Sequence, residues 1–499
     1  MTRFTALISA AMAATFAMPG FADVTPQQVW DNLSGSLERV GMSVVVADQT
    51  QSGDTLVVDG LSLVFQIGPS RSVSEIEQLR LVGQGDGTVA IEIEPAIRLT
   101  TQTRIDDELL AQNTGLVTFS GLGMIASGEA GRIVYDMGAD QVVSETKVAA
   151  TDLTPMAQLS TMTLSGFTSQ AIAEMQGQDM HLQTTGSAES YAANMATEAP
   201  EGAADLRVDF TGSDFSFEST AVLPPAGDGN GFDAMMRNPN GLTAAYGLGP
   251  STMSMVSDSG GGSFALEFAN QALAFNLDLR DGVVGYDVTT RGNAFSVLTG
   301  GLPPLSGSAE VADFGLRMPL VQTDTPRDMG LTLRIGQVAL DETVWAIFDP
   351  GQALPRDPAD LSVDLAAKGA WTADLMDPRS MAEADAAGAM PIDMDSATLT
   401  SLVLDALGAR IEAQGEVEFQ QADDAPVPVP VGAVSVSAQG VQGLIEKLQV
   451  AGLLPIQFGT MATVMLGTYA VPAEGADSYT SQIEFEQNGG ITANGQPLR

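Results

Sequence analysis

Apolar and polar positions alternate with a period of two along most of the chain. Val89, Ile91 and Ile93 alternate with Ala90, Glu92 and Glu94, and Leu206, Val208 and Phe210 with Arg207 and Asp209. Phe264, Leu266 and Phe268 are followed by Leu273, Phe275, Leu277 and Leu279, whose alternates include Asn276, Asp278 and Arg280. The phase returns at Leu331-Leu333-Ile335, Val417-Phe419 and Ile483-Phe485. A period of two puts successive side chains on opposite faces, so each run predicts an antiparallel strand with one sheltered and one wet face. Gly85-Asp86-Gly87, Asp281-Gly282, Asn488-Gly489-Gly490 and Asn494-Gly495 separate such runs and are residues that tight turns favour.

The period changes in a few places. Thr25 and Pro26 have the form of an N-cap followed by the first helical position, and Val29, Leu33, Leu37 and Val40 then share one helical face. Short helices are also expected from Asp341 to Phe348 and from Val441 to Val450, stopped by Asp349-Pro350 and Gly452. Each precedes a Leu-Pro pair, Leu354-Pro355 and Leu454-Pro455, and the same order is expected around Phe295 to Leu298 with Leu302-Pro303. This hints at a repeating unit of about 50 residues. Gly186 to Ala204 and Asp377 to Pro391 have the composition of flexible loops, and Asp423 to Pro430 that of an extended turn or edge.

The predicted fold is mainly β: a large antiparallel sheet, extended, groove-like or folded as a sandwich, with a few short helices packed on it. The expected divisions are 1–22, a signal peptide; 23–200, a β-rich region with the leading helix; and 201–499, a β-rich region with helices near 341–349 and 441–451. A single elongated sheet shared by both halves fits the pattern equally. The first division rests on Arg3, the uncharged run Phe4 to Met18 and the small residues before Asp23, so cleavage is expected after Ala22. An exported, periplasmic product follows. Leu448 to Val471 is the later segment nearest to a membrane span, but Pro455 and its glycines break it.

Charge narrows the partners. The chain has 62 Asp+Glu against 21 Lys+Arg, a formal charge of -41, and loss of Arg3 with the signal makes it -42. Nucleic acid and anionic membrane surfaces would be repelled. The absence of cysteine and the single histidine, His181, leave no thiol chemistry and no Cys/His metal site.

Several motifs resemble chemistry without completing it. Ser257-Asp258-Ser259-Gly260-Gly261 looks like a serine-protease nucleophile loop, but its base would have to be His181; a turn is the expected reading. Ser144-Glu145-Thr146-Lys147 has the Ser-x-x-Lys spacing, yet its valine-rich flanks predict a strand. Asp228 to Asp233 resembles a calcium loop with Phe232 where an oxygen ligand belongs, so any calcium there would be loosely held. Asp106-Asp107-Glu108 and Asp423-Asp424 are paired acids of the kind glycosidases use, but so many acids make such pairs by chance. Lys147, Lys368 and Lys447 follow no phosphate-loop pattern, and Gly83 to Thr88 lacks the third glycine of a dinucleotide site. No catalytic, cofactor-binding or metal-ligating residue is therefore assigned, and no cofactor is expected.

Four segments carry a family likeness: Ala22-Asp23-Val24-Thr25-Pro26 with Val29-Trp30; Phe348-Asp349-Pro350 through Leu354-Pro355-Arg356-Asp357-Pro358; Leu404 to Ala409; and Gly490 to Leu498. Together they resemble the bacterial secreted proteins grouped as domain-of-unknown-function family 2125. The resemblance implies an exported protein and carries no catalytic residues. In strand style the chain is also similar to AsmA-like periplasmic proteins, whose repeated strands form lipid-holding grooves; that likeness is one of architecture alone. The functional expectation is a non-enzymatic cell-envelope protein. Either its apolar sheet face closes on a second sheet, the more ordinary arrangement, or part of that face stays open as a groove for a lipid or other amphiphile. A periplasmic hydrolase working through carboxylates and a structural partner of an outer-membrane assembly are the competing readings.

Overall fold

The computed structural model describes residues 23–67, 70–105, 108–149, 157–198, 205–225, 231–259, 262–301, 303–375, 380, 384, 391–421 and 428–498. The expected signal of 1–22, Asp106-Asp107, Asp228 and Asp423-Asp424 lie outside them, as does most of Asp377 to Pro391. What they contain is mainly β: one 26-stranded sheet, antiparallel at every pairing. It is a meander in which nearly every strand pairs with its sequence neighbours. Several rungs are built from strands laid end to end, among them Glu108–Ser120 with Gly123–Glu129, Leu242–Leu248 with Ser251–Ser259, and Gly262–Asn270 with Ala272–Arg280. Stacked at about 4.8 Å per strand, the sheet extends on the order of 100 Å.

Tight turns set the register. Asp281 and Gly282 have φ of 54° and 70°, and Asn494 and Gly495 of 48° and 77°, which suits two-residue hairpins whose twist matches the strands. At Gly85-Asp86-Gly87 the Asp86 carboxylate accepts hydrogen bonds from Thr88 N and Thr88 Oγ1.

Five short helices occur among the described residues: α1 (Pro26–Arg39), α2 (Gly231–Arg237), α3 (Glu342–Phe348), α4 (Val441–Val450) and α5 (Ile456–Tyr469). Helix α1 opens with the expected cap. Thr25 Oγ1 accepts from Gln28 N at 3.3 Å and Gln28 Oε1 accepts from Thr25 N at 2.9 Å, a reciprocal capping box. Its Val29 and Trp30 lie against Leu56, Val58, Leu79, Leu81, Val89 and Ile133, the largest buried cluster. Helix α3 begins after Asp341 as expected, but the Asp341 carboxylate does not cap it and takes the Ser306 hydroxyl instead. In a meander successive turns fall on opposite long edges, so α3 and the α4–α5 hairpin share one edge and the turn at Asp281-Gly282 the other.

Two local expectations are corrected. Gly186 to Glu198 is not a loop but part of the strand Asp179–Glu198. It is hydrogen-bonded on both sides, to Ala157–Gln176 and to Asp205–Leu223, so the backbone ladder holds it in spite of its polar composition. Phe295 to Leu298 is not helical; Phe295 pairs with Phe268 and Val297 with Leu266 inside the strand Val283–Thr299. The Leu-Pro pairs therefore do not mark a common helix–turn unit. Ser257-Asp258-Ser259 ends a strand, and Ser259 pairs with Gly262 of the next, so the chain reverses within this motif as expected, with Gly260-Gly261 outside the described residues.

Near their midpoints the long strands share an irregularity. Gly60, Gly166, Asp214, Gly292 and Gln337 each drop out of the ladder with φ between 53° and 61°. At Gly60, Gly166, Asp214 and Gly292 one unpaired residue faces one on the neighbouring strand and the register is kept, so both strands break phase together; only at Gln337 do two residues oppose one, a bulge. Gly166 shows why glycine is needed: a β-carbon there would sit 2.7 Å from Glu189 Cγ of the next strand. Gly60, Asp214, Gln337 and the facing Asp140, Glu189 and Glu310 are exposed. The phase breaks thus line up across neighbouring strands, a crease along which the alternation of faces steps by one residue.

Candidate functional site

The apolar phase forms one continuous surface across this crease. On one side of it the ladder places Phe217 opposite Tyr246, Tyr246 opposite Phe275, Phe275 opposite Val288, Val288 opposite Phe314 and Phe314 opposite Leu333. The row continues through Val363 and Leu402. Beyond the crease a parallel row runs from Phe210 through Met253 and Phe268 to Phe295. Cross-strand apolar and aromatic neighbours of this kind hold a sheet together. Ring centroids are 5.9 Å apart for Tyr246 and Phe275 and 5.6 Å for Tyr286 and Phe314. Tyr191 joins the two sides, 5.3 Å from Phe210 and 6.3 Å from Phe215, and burial raises its phenol pKa.

These side chains are half-buried rather than buried, and Tyr246 is 40% exposed. Interdigitation with a second sheet would bury them. The two buried apolar clusters form where a helix packs on the sheet: under α1, and beside α2, where Met235 joins Ala173, Met180 and Leu223. The described residues contain no second sheet.

The wet face carries the charge. Glu92, Glu416, Glu418 and Glu484 are exposed. Arg207 lies 2.8 Å from Asp209, Arg280 2.5 Å from Asp278 and Arg80 2.7 Å from Glu92. Such exposed pairs contribute about 0–1 kcal/mol each. Hydrogen bonds from Arg207 and Arg280 pull the pKa values of Asp209 and Asp278 below the ordinary carboxylate value, and Thr88 does the same to Asp86. A carboxylate shifted downward stays ionised, which suits salt bridges and anchoring rather than general-acid work near neutrality. Asp349 is of the anchoring kind: it is fully buried, its oxygens accept from Leu354 N at 2.8 Å and Ala353 N at 2.9 Å, and those bonds lower its pKa.

The sequence-level candidates are dispersed. His181 is half-buried near the start of the strand Asp179–Glu198. Ser144 and Lys147 sit in the strand Arg132–Val148, paired to Met162 and Leu159, as their flanks predict. Asp233, the last residue of the calcium-like motif, falls in α2. Among the described residues no group of three or more His, Asp or Glu is placed to hold a metal ion, and no helix is long and apolar enough to cross a membrane. The crease was missed by sequence reasoning; its only trace there is a Gly, Asp or Gln breaking the phase at mid-strand.

No family model, no curated protein and no solved structure matches the chain.

Proposed function

We propose that this is an exported, non-enzymatic cell-envelope protein that holds a lipid or other amphiphile along the apolar face of its creased sheet. The observation that carries the reading is the uncovered apolar row from Phe217 to Leu402, with its counterpart across the crease. An uncovered apolar surface of this extent is unfavourable in water and marks a binding surface. Acyl chains fit it because they are apolar along their length, as the row is, and need no hydrogen-bonding partner. The acidic wet face keeps copies of the protein apart, so the apolar faces are not satisfied by aggregation. The likeness to family 2125 and to AsmA-like proteins belongs to the same proposal, since lipid-holding grooves are what the second likeness implies.

Native mass spectrometry after gentle purification tests it. The expected result is a mass excess that disappears on organic extraction and is recovered as lipid in the extract. Identical native and extracted masses would sink the reading.

A further inference from the structure

The edge of the sheet that bears α4 and α5 offers a second apolar surface, separate from the proposed lipid-holding trough along the row from Phe217 to Leu402. From Leu448 to Ala473 no residue carries charge, in a chain with 62 acids. This segment is the end of α4, the turn Ala451 to Pro455, and all of α5. Its large apolar side chains face solvent: Val450 and Ile456 are 79% and 78% exposed and Val464 is 63% exposed, with Leu453, Phe458, Met461 and Met465 also exposed. Within α5 only Gly459 is buried.

Three features say what covers it. First, the exposed apolar side chains of α5 spread over roughly 200° at 100° per residue, whereas a helix seated in a protein groove shows a stripe little wider than 100°. A surrounding medium fits such a helix better than a groove. Second, its hydroxyls need no external partner: Thr460, Thr463 and Thr468 donate to the carbonyl oxygens of Ile456, Gly459 and Val464 at 2.9, 3.0 and 2.8 Å. Satisfying polar groups inside the helix is what hydrocarbon demands. Third, the hairpin is moored at its base only. Asp477 accepts from Gln442 N and Gly443 N at the start of α4, and Ser481 Oγ and Asn494 Nδ2 donate to the Tyr469 carbonyl at the end of α5. The turn at Gly452 to Pro455 is left as a projecting tip.

We propose that the α4–α5 hairpin docks into the surface of a lipid bilayer, burying its tip and the outward side of α5 in the outer part of one leaflet. With 14 residues α5 is about 21 Å long, too short to span a hydrocarbon core of about 30 Å. It therefore lies in or dips into the interface. The lack of charge from Leu448 to Ala473 lets the tip and α5 approach headgroups that the acidic sheet would avoid. Docking does not depend on the trough being loaded.

Flotation of the purified mature chain with phosphatidylcholine–phosphatidylethanolamine vesicles tests the proposal, alongside a Phe458→Asp/Val464→Asp double variant. Both residues are exposed, so the variant should fold, and unchanged circular dichroism and thermal unfolding check that it does. The wild-type chain is expected to float with the vesicles at low and high salt alike, and the double variant to lose about tenfold or more of that partition. Phe275→Asp in the trough is expected to float normally, which separates this proposal from the trough's occupancy. Failure of the wild-type chain to float would overturn it, as would undiminished flotation of a folded double variant. Dimerisation abolished by the double variant, without flotation, would assign the surface to a second copy and overturn it equally.

Discussion

Replacing Phe275 by Asp puts one carboxylate into the middle of the apolar row. Phe275 lies between Tyr246 and Val288 on the ladder and is half-buried on the apolar face. Complete burial of a phenyl side chain is worth about 1.5–3 kcal/mol, so the part a bound chain would newly cover contributes about 1 kcal/mol. An unpaired carboxylate against hydrocarbon adds a desolvation cost of at least about 2 kcal/mol. Together these weaken binding by about 3 kcal/mol, or roughly 100-fold in Kd. Asn276→Asp is the control: it introduces the same group one residue along, on the opposite face, and is expected to leave affinity within about twofold. The assay is displacement of a fluorescent fatty acid or phospholipid from the delipidated protein, with thermal unfolding confirming that both variants fold. Equal affinity of the two variants would refute the assignment of faces.

Three further outcomes follow from the fold. Leu81 is fully buried beneath α1, so Leu81→Ala should lower urea stability by about 2–5 kcal/mol, measured as a shift of the unfolding midpoint. Gly166→Ala combines φ of +61° with a β-carbon 2.7 Å from Glu189 Cγ, and should cost about 1–2 kcal/mol or more by the same measurement. The Asp349 pKa is depressed by backbone N–H donors, so its stabilisation is present above the unfolded-state value of 3.8 and is lost as pH falls through the lower folded-state value. Asp349→Asn should therefore lower Tm at neutral pH and flatten the acid limb of the Tm–pH profile.

What could be read from the sequence was local. The Thr25–Gln28 cap, the turns at Asp281-Gly282 and Asn494-Gly495 and the helix Val441–Val450 each depend on residues within a few positions, and each forms as expected. The period-two runs gave the sheet and its polar phase. Where the expectation failed, the deciding partner was distant in sequence. Gly186 to Glu198 looks like a loop until the two strands that hydrogen-bond it are in place. The alignment of the phase breaks at Gly166 and Asp214 with those of neighbouring strands depends on the pairing register, which no single run encodes. The charge-free stretch at Leu448 to Val471 was legible as an incomplete membrane span broken at Pro455; that its apolar side chains stay exposed on a moored hairpin required the fold.

The most direct test of the lipid-holding trough is site-specific photocrosslinking in cells. Benzoylphenylalanine would replace Phe268, Phe275 or Leu333 on the apolar face and, separately, their neighbours Glu267, Asn276 or Arg334 on the wet face. The account predicts lipid adducts, identified by mass, at the first three positions and none at the second three. Equal labelling of both faces, or adducts to protein alone at the apolar positions, would contradict it.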